Sequence, residues 1–211
     1  MKLDRIHDLQ QVYRQLVGLT AAPGTVAELG AMAARIEPIP PLNPAVMLIA
    51  LCLLDGEVSF ACQGRSSGDD ATRFISRITT SQAVPDTEAD FVFVTADDER
   101  ADQALRNARV GTLTDPHLGA TVVLEVEELE ADPPEGRPAL TLRGPGIEVS
   151  RRLSGVWRPD WPTTRNVKTA EFPLGIDLFL VDRRGSTSAL PRTTQMELGS
   201  GMEAGDASWA T

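Results

Sequence analysis

The chain has 211 residues and a formal net charge of -10, with 42% hydrophobic and 24% charged residues. That length supports a sizeable core in one large domain or two small ones. The acidic balance argues against general nucleic-acid binding, because phosphate backbones are met by basic faces. Cys52 and Cys62 are the two cysteines; they cannot build a disulfide framework and read as buried or half-buried thiols of a reducing compartment.

The opening residues, Met1 to Asp8, carry charges where a secretory signal needs an apolar block. From Asp8 to Leu19, the positions Leu9, Val12, Leu16 and Leu19 share one face, which predicts a helix ended by Pro23-Gly24. Thr25–Leu29 reads as a short strand. The prolines of the 38–44 stretch break any regular element. Ala45–Leu54 is apolar throughout and predicts a buried helix, with Asn43 as its cap and Pro44 in its first turn. This run is also the longest apolar one and is too short for a bilayer, so the expectation is a cytoplasmic protein with no membrane partner.

Asp55-Gly56 makes a turn into a strand over Val58–Cys62. Asp69–Thr79 predicts a helix with Ala71, Phe74, Ile75 and Ile78 inward. A strand follows at Ala89–Thr95, then a helix at Asp97–Val110 with acids in its first turn. Gly119–Val126 predicts a strand, and Ala139–Arg143 a second one pairing back on it as a hairpin. Arg158–Ala170 reads as helix or loop, interrupted by Pro159 and Pro162. Phe172–Val181 is a buried strand that turns and returns over Ala189–Glu197. Residues 199–211 are small and polar, an expected disordered tail behind one domain of residues 1–198. Interleaved strands and helices favour an α/β fold with a mixed sheet.

The chemistry available is sparse. His7 and His117 are the only histidines and no metal-ligand spacing joins them to a cysteine, so no metal site is expected. His117 reads as a loop histidine. Gly144-Pro145-Gly146-Ile147 lacks the third glycine and the helix of a dinucleotide fingerprint, and reads as a turn. No nucleophile elbow surrounds Ser66-Ser67, Ser186 or Ser188. Glu125, Glu127, Glu128 and Glu130 read as a solvated strand edge and turn.

Asp177 is more pointed. A carboxylate within an apolar strand must be hydrogen-bonded or paired. It is either a structural acid held by backbone amides or an arginine, or a residue at a pocket or subunit junction. Arg192 offers a matching cation whose planar fork suits carboxylate or phosphate, and Thr193 and Thr194 can add donors.

Several segments together resemble one family, the PhnH subunit of the bacterial carbon–phosphorus lyase system. They are Tyr13-Arg14-x-Leu16 with Pro23-Gly24; Gly111-Thr112, Pro116 and Gly119-Ala120-Thr121; Leu140-x-Leu142-x-Gly144-Pro145-Gly146-Ile147; Phe172-Pro173-Leu174-Gly175-Ile176-Asp177; and Pro191-Arg192-Thr193-Thr194. They occur in family order across residues 11–198. Tyr13 stands where the family has Phe, and the stretch before Pro23 also departs from its pattern.

The resemblance implies a subunit that supports assembly in alkylphosphonate catabolism, with no autonomous catalysis. Its implied partners are PhnG, PhnI and PhnJ, and it implies a homodimer when isolated. It also implies a three-layer α/β/α sandwich like the large domain of pyridoxal-phosphate transferases, without that cofactor. The residues agree on the last point, since neither lysine, Lys2 or Lys168, sits as an aldimine lysine would. Candidate ligand- or partner-binding residues are Arg192, Thr193, Thr194, Asp177 and Arg14, with no cofactor and no metal. The alternative is an independent small-molecule enzyme using Asp177 and Arg192 on a transferase-like scaffold.

Overall fold

A computed structural model describes residues 3–39, 42–63, 69–95, 101–156 and 160–199. Its frame is a seven-stranded sheet built from β1 (Ala27–Glu28), β2 (Ser59–Gln63), β3 (Gln82–Ala83), β4 (Phe91–Val94), β5 (Thr121–Glu125), β9 (Asp177–Val181) and β10 (Ser186–Leu190). The strands lie in the order β1-β10-β9-β5-β4-β2-β3. Strands β3, β2, β4, β5 and β9 are mutually parallel, and β10 runs against β9 and β1. The fold is therefore α/β with a mixed sheet.

Side chains alternate across this sheet as the pleat requires. Phe60, Phe93, Val123, Phe179, Val181 and Ala189 point to one face. There they meet helices α1 (His7–Ala21), α2 (Gly30–Ala33), α3 (Pro44–Leu53) and α4 (Asp69–Thr79). Ala61, Val92, Val94, Val122, Leu124, Leu178, Leu180 and Leu190 point to the other face. That face is covered by α5 (Ala101–Asn107), α6 (Asp160–Lys168) and a second, antiparallel sheet. The second sheet has the order β11-β7-β8-β6, from β6 (Glu128–Ala131), β7 (Leu140–Arg143), β8 (Arg151–Val156) and β11 (Gln195–Leu198).

Local chemistry explains the elements the sequence made legible. In α3 the Asn43 side chain accepts from the Ala45 amide at 2.8 Å, Pro44 sits at the first turn, and Ala45 to Leu51 are all buried. The apolar face of α1 buries Val12, Leu16 and Leu19. Asp69–Thr79 is a helix as the spacing predicts. The expected helix from Asp97 is observed from Ala101 to Asn107, and residues 96–100 lie outside the described residues. Most of the expected tail, residues 200–211, also lies outside them.

The expected hairpin between Gly119–Val126 and Ala139–Arg143 does not form. β5 lies between β4 and β9 with Val122, Val123 and Leu124 all buried, so it is covered on both faces and has no free edge. β7 pairs instead with β8 and β11 in the smaller sheet. Glu125 accordingly ends a central strand rather than an edge, and its carboxylate accepts from the Asn43 amide at 2.7 Å. The strand expected over Thr25–Leu29 is reduced to two residues, because Gly30 begins α2. Strands β3 and β8 escape the sequence pattern: β3 is only two residues long, and β8 opens on Arg151-Arg152.

Candidate functional site

Asp177 opens β9, and Arg192 follows the end of β10, which runs the opposite way. Both therefore lie at the amino ends of the parallel strands. Arg192 donates to Asp177 from its backbone amide at 2.7 Å and from its guanidinium, Nη2 to Oδ2, at 2.6 Å. Its Nε reaches both carboxylate oxygens at 3.2 and 3.3 Å. The same fork crosses to the loop before β5: Nη1 donates to the Pro116 carbonyl at 2.6 Å and Nη2 to that of Gly119 at 3.4 Å. Every nitrogen of the guanidinium is engaged within the chain. With side-chain exposures of 15% for Arg192 and 34% for Asp177, the pair is partly shielded from water.

The Pro191–Thr194 turn is closed by the Thr194 amide on the Pro191 carbonyl at 2.8 Å. Arg165 of α6 braces it from inside. Its Nη1 donates to the Thr194 carbonyl and its Nη2 to the Pro191 carbonyl, each at 2.7 Å. Arg165 is 1% exposed, and burial pulls its pKa down to about 10 against the opposing pull of the Asp177 charge. Thr194 is buried and its Oγ1 has no hydrogen-bond partner among the described residues. Thr193 is half-buried, its carbonyl lying against Gly144.

Four of the segments singled out in the sequence, and the Pro23-Gly24 end of the fifth, meet here. A Cβ on Gly119 would lie 2.4 Å from the Gly175 carbonyl and 2.7 Å from Arg192 Nη1, so only glycine lets the 111–121 loop, the 172–177 segment and Arg192 approach this closely. Gly175 donates its amide to the Val110 carbonyl at 3.0 Å, and Asp177 to that of Ala120 at 3.1 Å. On the other flank Gly144 touches Thr193, and a Cβ on Gly146 would lie 2.1 Å from the Ala21 carbonyl. Gly24 then donates to the Ala189 carbonyl at 3.2 Å, bringing the end of α1 to the end of β10.

Arg14 is the exception among the candidate residues. It is exposed on α1, two turns before the helix end that joins this edge. Tyr13 beside it is also exposed. His117 is exposed in the loop next to Pro116. Sequence reasoning missed Arg165. The available signal was its spacing of four from Trp161, which puts an arginine on the same helix face as a buried aromatic residue.

Chemically, the arrangement is a clip. The carboxylate, the guanidinium and two loop carbonyls satisfy one another. In open α/β sheets small ligands bind beyond the carboxyl ends of the strands, whereas this clip sits at the amino ends. Among the described residues no group of three His, Cys, Asp or Glu side chains is placed to hold a metal ion.

A family model described as bacterial phosphonate metabolism protein (PhnH) matches residues 2–197. The chain belongs to the PhnH family. Two curated relatives agree with that membership. "Putative C-P lyase subunit protein HtxG" of Stutzerimonas stutzeri is 34% identical over 192 residues, covering 90% of this chain and 86% of the relative. "Alpha-D-ribose 1-methylphosphonate 5-triphosphate synthase subunit PhnH" of Rhizobium meliloti (strain 1021) is 32% identical over 199 residues, covering 92% of each. The PhnH match spans all five segments, including the four that converge on the Arg192 clip.

Proposed function

We propose that this chain is a subunit of the carbon–phosphorus lyase core assembly in alkylphosphonate catabolism, acting with PhnG, PhnI and PhnJ partners in the cytoplasm. The observation that carries this reading is the family match along almost the whole chain, residues 2–197, together with relatives named as subunits of that system. Its contribution is to assembly. The clip at Asp177 and Arg192 engages its own donors and acceptors, which suits holding a surface in shape better than turning over a substrate. In this reading Thr193, Thr194 and Arg14 belong to partner-facing surface or its support, and the isolated chain is a homodimer of single-domain subunits.

The large sheet, with one strand opposed to the rest and apolar clusters on both faces, supports a finer reading of the fold as a three-layer relative of the pyridoxal-phosphate transferase large domain. The independent-enzyme alternative has less support, because Asp177 and Arg192 satisfy each other at the amino edge of the sheet.

Co-expression of the tagged chain with PhnG, PhnI and PhnJ tests the reading. A stoichiometric complex is the expected product. Elution of this chain alone, while the other three associate, would overturn it.

A further inference from the structure

Of the eight large apolar side chains exposed among the described residues, four gather at the amino edge of the large sheet. They are Leu113, Leu118, Val167 and Phe172, exposed at 67, 41, 73 and 68%. Scattered singly, such residues need no explanation; gathered, they mark a surface that another molecule covers.

Backbone contacts bring the four together. Leu113 and Leu118 belong to the loop closed by the bridge between Val110 and Gly119. Phe172 belongs to the segment that ends at Gly175, whose amide donates to the Val110 carbonyl at 3.0 Å. Val167 lies two residues before Thr169, and a Cβ on Gly175 would lie 3.0 Å from the Thr169 side chain. Each of the four thus sits within three residues of one junction, formed by Val110, Gly119, Gly175 and Thr169. Arg192 fixes that junction, because its fork ties the Pro116 and Gly119 carbonyls to Asp177. The loop that carries Leu113 and Leu118 is therefore ordered before a partner arrives, which removes part of the entropic cost of binding.

Charge around the patch is one-sided. Besides His117, the basic side chains of these segments are turned inward: Arg192 to Asp177, Arg109 to Asp90, and Lys168 Nζ to the Ala108 carbonyl at 3.0 Å. Asp115 and Glu171 are exposed, and neither carboxylate has a cation partner among the described residues. Apolar tips edged by outward carboxylates fit a partner of opposite sign. A second copy fits less well, since a two-fold contact sets Asp115 and Glu171 against their own copies on a chain of net charge -10.

Given the subunit role proposed above, we propose that this patch docks the chain onto a different subunit of the assembly. The segment it takes offers apolar side chains flanked by Lys or Arg.

Binding of the purified full chain to the purified PhnG–PhnI–PhnJ complex, measured as a Kd, tests this. Leu113→Ser with Phe172→Ser is the probe variant; both sites are exposed, so its thermal melt should match the parent's. Its Kd is expected to rise by about tenfold or more, the scale for losing an apolar anchor of an interface. Ile6→Ser with Val17→Ser removes exposed apolar side chains from the α1 end of the molecule and is expected to bind as the parent does. Glu171→Lys is expected to weaken binding about threefold, the scale of one exposed ion pair. A patch variant that binds as the parent does would overturn the docking surface and leave the subunit role standing. So would an equal loss in the α1 variant, or a patch variant that keeps the three partners and loses the homodimer. Glu171→Lys binding no more weakly than the parent would overturn the basic partner segment. A parent chain that does not bind the three-subunit complex would overturn the subunit role itself, and this docking with it.

Discussion

Arg192 grips Asp177 twice, once through its main-chain amide and once through its guanidinium, and the same guanidinium reaches the carbonyls of Pro116 and Gly119. One side chain thereby ties the start of β9, the end of β10 and the loop before β5. Removing the charge from Asp177 leaves the fork with its carbonyl partners but no counter-ion. Asp177→Asn is expected to lower stability by about 2 kcal/mol, the range for a hydrogen bond to a charged group, reduced because the pair is partly solvated. Urea denaturation checks it. An unchanged midpoint would mean that the clip contributes nothing to the isolated fold.

Two glycines make a contrasting pair. Gly119→Ala places a Cβ 2.4 Å from the Gly175 carbonyl, a backbone atom that cannot rotate aside. A loss of about 3 kcal/mol is expected, at the upper end of ordinary overpacking. Gly18 lies on α1 with nothing within 4 Å of the same position. Gly18→Ala is expected to stabilise by about 0.5–1 kcal/mol through helix propensity and a less flexible unfolded chain. Thermal melts of the two variants should move in opposite directions.

The thiols should be inert in the folded chain. Burial pushes Cys52 from an ordinary 9.0 up to about 11. It pushes Cys62 up to about 12, against a weaker downward pull from its hydrogen bond with Thr72. At pH 8 the thiolate fraction of Cys52 is then roughly one part in a thousand, and reaction with a disulfide reagent should be correspondingly slow until denaturant is added. The linkage has a definite sign. Both folded values lie above the unfolded ones, so the stability they contribute is intact below about pH 9 and is lost as pH rises through 11 to 12. Cys52→Ser with Cys62→Ser should flatten the alkaline limb of the stability curve. A limb unchanged in that double variant would assign the loss to other groups.

The sequence by itself determined the local elements and the family. Asn43-Pro44 ahead of an apolar run specifies a buried helix whatever surrounds it, because the cap and the fixed proline φ act within one turn. Phe172 to Val181 reads as a strand, and the structure keeps only Asp177–Val181 of it, the part whose consecutive apolar residues are covered between two layers. The five family segments were visible as strings of residues, although nothing in their spacing said that they touch.

Only the tertiary structure decided where those strings meet. β5 carries a continuous apolar run, Val122 to Leu124, and β7 an alternating one, Leu140 and Leu142, and a hairpin between them is the local expectation. Burial on both faces sends β5 to the middle of one sheet, while β7 joins another. The partners of Arg165 were illegible for the same kind of reason, although its spacing of four from Trp161 marked its helix face. A lone arginine in a polar helix ordinarily faces water, and its burial follows from two carbonyls, those of Pro191 and Thr194, that lie 26 and 29 residues further along the chain. Periodicity reports which face of an element is apolar, whereas contacts of long sequence separation depend on which faces are left to cover one another once the sheet has formed.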